Sequence, residues 1–360
     1  MLIAYFCCIP VRGDERVQNG KTLRLLVINV WSGLDYQGIL NMGVYETDSV
    51  REERYQVLTA QIRQLDPDVI AVHEANKLPR YARRLAEDTG YQAFYHMGLG
   101  GVRMGPVGLP WNLREGDALL IRARLRPEWI GRKKLTGGYV GRFASFHFSD
   151  ATQVIAVKIE YNTKSLYVYA THWHASVSDS VYFKNRLNAL YQAQKISGEA
   201  YNQALSDMET GLMKRMNEAR QTVAFIRQTA EDHPYILLGD LNAVPCSQEI
   251  RFLAEKGMTD LFHHVHPDSA GYTWNPETNQ NIRIHSPVQP PDKNDTAFEI
   301  VRAFHARVAQ RIDYVFWGPR SWLVSEKISV LSCKVVMDRP VHQRHASDHY
   351  GVFAEIYFND

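Results

Sequence analysis

Short apolar runs rich in Val, Ile and Leu recur along the chain between amphipathic stretches, and several of them end on a carboxylate, an amide or an imidazole. LRLLVINV (23–30) and DVIAVHE (68–74) read as buried strands. Between them, Val50, Tyr55, Val57, Leu58, Ile62 and Leu65 approximate one helical face. Asp48 or Ser49 is placed to cap its start, Ser49 and Glu52 have capping-box spacing, and Asp66-Pro67 ends it. Further on, DALLIRARL, VIAVKIE and SLYVYATH predict three strands before a long helical region from about Tyr182 to Ala230, in which Leu212, Met216, Ala219, Val223 and Ile226 make an apolar stripe. YILLG, RIDYVFWG, ISVLSCKVVM and YGVFAEIYF supply later strands. Strands alternating with helices over this length predict an α/β fold of two packed sheets flanked by helices.

No linker divides the pattern. The expected organisation is a single domain over residues 21–360, with a helical insertion around 182–215, after a tail at 1–20. That tail begins MLIAYFCCIP and turns polar at once, so it is too short to span a bilayer and reads as a signal remnant. No later stretch reaches eighteen uninterrupted apolar residues, which argues for a soluble protein, secreted or cytoplasmic. A 45% hydrophobic content is enough for a sizeable core. The four cysteines (7, 8, 246, 333) lack zinc-site or disulfide-framework spacing and leave the redox compartment open.

The chemistry lies in the polar residues at strand ends. Asn29 interrupts LLVINV, Glu74 closes VIAVHE and His172 closes YVYATH. Asp240 and Asn242 follow YILLG, Asp313 sits in RIDYVFW, and Asp348-His349 opens the last strand. Any one of these alone reads as a turn residue or helix cap. Seven such placements together point to side chains projecting from a rigid sheet edge into a shared cleft. Several carboxylates with amides and two histidines suit a hard cation such as Mg2+ that bridges to a phosphate, with Mn2+ as a substitute, whereas zinc would recruit more His or Cys.

GDLNAVP, RIDYVFW and SDHYGVF, in that order, together with INVWSG and VIAVHEAN upstream, resemble the signatures of the endonuclease/exonuclease/phosphatase superfamily over roughly residues 23–358. That resemblance implies a four-layer α-β-β-α sandwich of two mixed sheets. It also implies Glu74 as principal metal ligand, with Asn29 beside it and Asp348 direct or through water. Asn242 would bond the phosphate or nucleophile, His172 would donate to a non-bridging oxygen, and His349 would be held by Asp313. Either Asp240 or the His349/Asp313 pair would take the proton from the attacking water. His73 stands where many relatives have Gln, and Arg122 where Ser is common.

YATHWHASVSD, followed by the helical insertion, looks most similar to the neutral sphingomyelinase branch, in which a His-x-His pair follows this strand. His174 is then a substrate-binding candidate, and Trp274 in GYTWNP a wall for a headgroup or base. The expectation is a phosphodiesterase acting on a phospholipid, with peripheral membrane contact and no obligate protein partner. The alternatives are an endonuclease or exonuclease on nucleic acid, an inositol polyphosphate phosphatase, and a catalytically silent binding module. A net charge of only +2 speaks against a nuclease. The alternating Arg122, Arg124 and Arg126 speak for one, although a solvated strand face is favoured there. His263, His264 and His266 read as a polar loop, residues 275–300 as a long loop, and the glycine-rich stretch 98–110 as a flap.

Overall fold

Alternation along the strands decides which residues face where, and the computed structural model shows the outcome for residues 22–35, 44–99, 102–104, 107–109, 114–136, 144–145, 152–284 and 291–359. In chain order the two large sheets are built from β1 (Thr22–Asn29), β2 (Val69–Ala75), β3 (Gln92–Leu99), β4 (Glu115–Ile121), β5 (Glu128–Lys134), β6 (Gln153–Tyr161), β7 (Lys164–His172), β8 (Tyr235–Asp240), β9 (Thr259–Asp260), β10 (Asp313–Gly318), β11 (Ile328–Val336) and β12 (Gly351–Phe358). One sheet runs β11-β12-β1-β2-β4-β3, the other β9-β10-β8-β7-β6-β5.

Leu23, Leu25 and Val27 of β1 point between the sheets and meet Val168 and Ala170 of β7, Leu238 of β8 and Val315 of β10 in a fully buried core. The alternate residues Leu26 and Ile28 face outward onto Tyr55, Leu58 and Ile62 of α1 (Asp48–Leu65) and, with Ile70, onto Leu85 of α2 (Arg80–Thr89). On the far side, Tyr169, Leu237 and Phe316 pack against Ala219, Val223 and Ile226, the expected stripe of the long helix that follows β7. At roughly 1.5–3 kcal/mol per buried large apolar side chain, these three interfaces drive the layers together. The result is the four-layer α-β-β-α sandwich.

After β7 come α3 (Ser180–Gln192) and α4 (Gly198–Ala230), followed by α5 (Gln248–Glu255), α6 (Leu261–Val265), α7 (Gln280–Ile284), α8 (Ala297–His305) and α9 (Ser321–Val324). A separate apolar cluster, with Phe183 and Leu187 of α3, Ala204 and Met208 of α4, and Ile300 and Phe304 of α8, joins the helical insertion to α8. The stretch 275–300 is therefore not a plain loop: α7 lies in it and α8 begins in it. Helix α1 is capped by Thr47, whose hydroxyl accepts from Val50 N, rather than by Asp48 or Ser49. It does end at Asp66, in a left-handed C-cap.

Two further expectations change. Arg122, Arg124 and Arg126 do not share a strand face, because β4 stops at Ile121 and a 3-10 turn takes over at Ala123–Leu125. The residues 263–266 belong largely to α6, and His266 Nε2 lies 2.9 Å from the carbonyl of Cys333. The tail 1–20, including Cys7 and Cys8, lies outside the described residues, as does part of the stretch 98–110. No helix among the described residues is long and apolar enough to cross a membrane.

Candidate active site

Strand directions explain why residues so far apart in sequence meet. β1 and β2 are parallel, so Asn29 and Glu74 finish at the same end of the first sheet. β7 and β8 are also parallel, with His172 beside Asp240. β10 runs antiparallel to β8 and starts where β8 stops, pairing Asp313 with Asp240. β12 runs antiparallel to β1, so the Asp348-His349 pair just before it arrives at the same edge. Asn29, Glu74, His172, Asp240, Asn242, Asp313, Asp348 and His349 thus converge on one end of the sandwich.

Asp240 is the hub. Its Oδ2 accepts from Asn29 Nδ2 at 3.0 Å and its Oδ1 from the backbone N–H of Asn242 at 3.1 Å. His172 Nε2 lies 3.6 Å from Oδ2, and His349 Nδ1 lies 3.8 Å from it. Asn29 Nδ2 also donates to Glu74 Oε1 at 2.8 Å, while its Oδ1 accepts from Trp31 N at 2.9 Å. Asn29 therefore ties the two carboxylates together, and its carbonyl is engaged by the backbone. Asn242 Nδ2 is 3.1 Å from His172 Nε2 and donates to the carbonyl of Trp173 at 3.1 Å. His349 Nδ1 meets Asp313 Oδ2 at 3.0 Å.

Three residues here hold left-handed backbone without being glycine: Trp31 at φ 52°, Glu74 at φ 55° and Asn242 at φ 48°. Such conformations cost about 1–3 kcal/mol each and persist where surrounding contacts impose them. The contacts are visible. Ser32 N donates to Glu74 Oε2 at 3.2 Å, and the guanidinium of Arg54 donates to the carbonyls of Val30 at 3.0 Å, Trp31 at 3.3 Å and Ala346 at 2.8 Å. Arg54 so clamps the loop after β1 to the loop before β12, and Glu46 neutralises it.

Burial, the largest influence, works against charging His349, but Asp313 and Asp240, followed by Asp348, carry its pKa well above the ordinary imidazole value. Burial lifts Asp348 to about 6, opposed by His349 and reinforced by Glu74. Glu74 thus disfavours a second negative charge on Asp348 at the cleft, and hard oxygen donors in that arrangement fit a divalent cation. Ligand atoms of Asp240, Asp313 and His349 also lie within 4.8 Å of one another, a buried group that can hold a metal. The bond from His349 to Asp313 leaves this triad better suited to proton handling, since a histidine engaged at Nδ1 by a carboxylate is oriented by it. Asp313 Oδ1 is buried without a partner.

Both remaining candidates line the cleft. His174 is tied down by its backbone N–H, which donates to Glu218 Oε2 at 2.8 Å, and its Nε2 lies 3.4 Å from Lys214 Nζ. The Trp274 ring packs edge-on to His349 with centroids 5.1 Å apart, and its Nε1 donates to the carbonyl of His305 at 3.0 Å. His73, the departure noted beside Glu74, is buried with Nδ1 2.7 Å from Asp117 Oδ1.

Several supporting residues escaped the sequence reading. Buried Asn279 donates to the carbonyls of Ser347 at 3.0 Å and Asp348 at 2.9 Å, and Asn281 donates to that of Ser347 at 2.9 Å, which fixes the turn carrying Asp348 and His349. Thr273 accepts from Asp313 N at 3.2 Å through Oγ1 and from Tyr350 N at 2.7 Å through its carbonyl, so one residue registers the starts of β10 and β12. Their signal was a polar segment without periodicity, which marks an ordered loop no better than a mobile one.

Comparison with known proteins places this geometry. Zebrafish (D. rerio) TDP2, humanized by 14 mutations, superposes with a TM-score of 0.57 at 14% identity, covering 93% of this chain and 99% of that one. The human Nocturnin catalytic domain gives 0.53 at 14% identity, covering 94% and 95%. A family protein from Bacteroides thetaiotaomicron gives 0.54 at 15%, covering 94% and 98%. At these identities the likeness is one of fold. A comparison with curated proteins found no match. The sequence profile described as Endonuclease/Exonuclease/phosphatase family matches residues 26–349, nearly the whole span between β1 and His349. With its ordered strand-end motifs gathered at one end of the sandwich, the chain belongs to the endonuclease/exonuclease/phosphatase family of metal-dependent phosphoester hydrolases.

Proposed function

We propose that this enzyme is a Mg2+-dependent phosphodiesterase of the sphingomyelinase-like type, releasing a phospholipid headgroup by attack of water on phosphorus, with Mn2+ able to replace Mg2+. The observation that carries the reading is the meeting of Glu74 and Asp348 with Asp240, Asn242, His172 and the Asp313-held His349 at one sheet end. Glu74 and Asp348 would hold the cation, which when bound supplies Lewis acidity toward the phosphoryl group. Asn29 spaces Glu74 from Asp240 through its amide. Asp240 takes the proton of the attacking water, because it sits at the centre of the cluster with both oxygens oriented by N–H donors. Asn242 and His172 would donate to the non-bridging oxygens once a bound phosphate replaces their mutual 3.1 Å hydrogen bond, and His349 would face the phosphate while Asp313 holds its Nδ1. His174 and Trp274 border the headgroup.

For the lipid branch speaks the largely apolar character of the cleft beyond these groups, together with the disposition of the arginines that had pointed to nucleic acid. Arg122 bonds Asp66 at 2.5 Å, Arg124 bonds Asp68, and Arg126 bonds Glu160 at 2.9 Å. Asp66 and Asp68 precede β2, whereas Glu74 ends it, so these arginines sit at the opposite end of the sheet. The second reading is a nuclease, which one comparison favours: zebrafish TDP2, solved with a single-strand DNA product, has a TM-score of 0.57 at 14% identity.

The test offers purified protein sphingomyelin, phosphatidylcholine, plasmid DNA, abasic DNA and inositol phosphates, with Mg2+, Mn2+, Ca2+ or chelator, and Glu74→Ala as control. Metal-dependent phosphocholine release without DNA nicking is expected. Nicking alone would transfer the assignment to a nuclease, free phosphate to a monoesterase, and silence across the panel to a binding module. Peripheral membrane contact is checked by co-sedimentation with vesicles.

A further inference from the structure

The catalytic groups occupy only one part of a single cleft of about 690 Å3. The rest is walled by the helical insertion and α8. Val177, Met208 and Ile282, each nearly buried, lie behind this part of the cleft, and the more open Phe298 and Val301 give it an apolar rim, contiguous with the space over Asp240 and His349. Phe298 remains 60% exposed although its helix neighbours Ala297 and Ile300 are buried in the insertion cluster. Apolar surface that folding leaves open beside a reaction centre is an invitation to an apolar ligand.

The placement of this arm relative to the catalytic histidines is enforced. Gly211 lies inside α4, where glycine costs about 1 kcal/mol relative to alanine. A Cβ there would come within 2.1 Å of Ser176 Oγ, so α4 can touch the loop carrying His174 only at a glycine. One turn on, buried Arg215 grips the same loop, donating to Ser176 Oγ and, at 2.8 Å, to the carbonyl of Val177, while Glu249 accepts from its Nε at 2.8 Å. A buried ion pair and a helical glycine are costly ways to hold a surface loop, and they make sense as fixing one wall of a binding groove.

Charge decides what the groove takes. Its arm carries two cations, Lys214 and Arg302, against the carboxylate of Asp207, and its other lining mixes the five apolar side chains with neutral polar ones such as Ser178, Thr210 and Asn281. A single-stranded nucleic acid would require a track of cations with rings to stack on. Here Trp274 is already packed edge-on to His349. We propose that the arm between α4 and α8 receives an alkyl or acyl chain of an amphiphilic phosphoester, so that the substrate is selected by a hydrocarbon chain near the phosphate as well as by the phosphate itself. This rests on the phosphoester hydrolase reading above and names the substrate class for that site.

Two measurements keep the two ideas separable. Full-length protein with Mg2+ is given p-nitrophenyl alkyl phosphodiesters with methyl, butyl and octyl groups, all below their micellar concentrations. Separately, binding of monomeric octyl phosphate to metal-free protein is followed by calorimetry. The expected result is a kcat/KM at least about tenfold higher for octyl than for methyl, since each buried methylene contributes a severalfold gain. Phe298→Glu and Val301→Glu should bring that ratio to near one and weaken octyl phosphate binding at least about tenfold. Leu331→Glu, on an exposed face of β11, should keep the ratio. Loss of octyl phosphate binding in both arm variants with no hydrolysis by wild type would uphold the arm and sink the hydrolase reading. Hydrolysis without chain-length preference, or octyl phosphate binding equal in wild type and both variants, would overturn the arm. Cleavage of a single-stranded oligonucleotide impaired by Val301→Glu, without a chain-length effect, would give the groove to nucleic acid instead.

Discussion

The two ends of the first sheet handle charge in opposite ways. Where β2 begins, each charge has a partner: Arg122 with Asp66, Arg124 with Asp68, Arg126 with Glu160, and Arg24 with Glu355 at 3.3 Å. Where β2 ends, four carboxylates (Glu74, Asp240, Asp313, Asp348) gather around two imidazoles, and burial, reinforced by Glu74, lifts Asp348 to about 6. The first arrangement is what folding alone selects, since opposite charges at a surface are cheap. The second is expensive without a cation and a phosphate to complete it. An excess of one sign of charge gathered in a cleft is therefore the better guide to function than the density of charged residues.

The sharpest way to break this contrast is to remove charge at each end in turn. Glu74→Ala, Asp240→Asn and His349→Ala should each lower turnover by about a hundredfold to ten-thousandfold while leaving the circular dichroism spectrum unchanged. Arg124→Ala, at the opposite end, should retain turnover within about twofold. Equal losses at both ends would mean that the contrast has no functional content.

Next in size is a charge pair that belongs to the catalytic half but is structural. Arg215 and Glu249 are both fully buried, so Arg215→Met strands a carboxylate and should cost about 3–5 kcal/mol in urea unfolding. The double variant Arg215→Met/Glu249→Leu should recover most of that stability. It should not recover activity, because the loop of Ser176 and Val177 is released in both. A smaller effect is expected from Asn279→Ala. It leaves the carbonyls of Ser347 and Asp348 with fewer donors, at about 1–3 kcal/mol, and lowers turnover through the Asp348-His349 turn.

These residues also mark where the sequence ran out. The apolar runs LRLLVINV and VIAVHE were enough to foresee β1, β2 and the position of Asn29 and Glu74, because burial on both faces demands continuous apolar runs that polar residues can only terminate. Ordered motifs did the same for Asp240, Asp313 and His349. Nothing local announced Arg215, Glu218, Glu249 or Asn279. Each is a polar residue in a polar context, and only tertiary packing shows which of them are buried. The arginines at 122, 124 and 126 went wrong for a related reason. Alternation predicts a shared face only while the strand lasts, and this one turns into a 3-10 helix at Ala123.

The mildest test concerns a pair remote from either sheet end, on the outer faces of α1 and α2. Arg84 grips Glu52 in two-pronged fashion, at 2.6 and 2.8 Å, yet both side chains are nearly half exposed. Hydrogen bonds from Arg84, then Gln56, hold Glu52 down at about 2 against an ordinary 4.5. The folded state therefore binds this proton less readily than the unfolded chain. Stability from the pair is present in full above about pH 4.5 and is lost as the pH falls toward 2. Solvent screening caps it at about 0.5–1 kcal/mol, far below what the pKa displacement alone would imply. Glu52→Gln should destabilise by that amount at neutral pH, less in high salt, and its unfolding curve should merge with wild type near the acid limit. Turnover should be untouched, since a paired surface charge has nothing left to offer a substrate; a loss of activity in this variant would show that paired and unpaired charge are not so cleanly divided in this molecule.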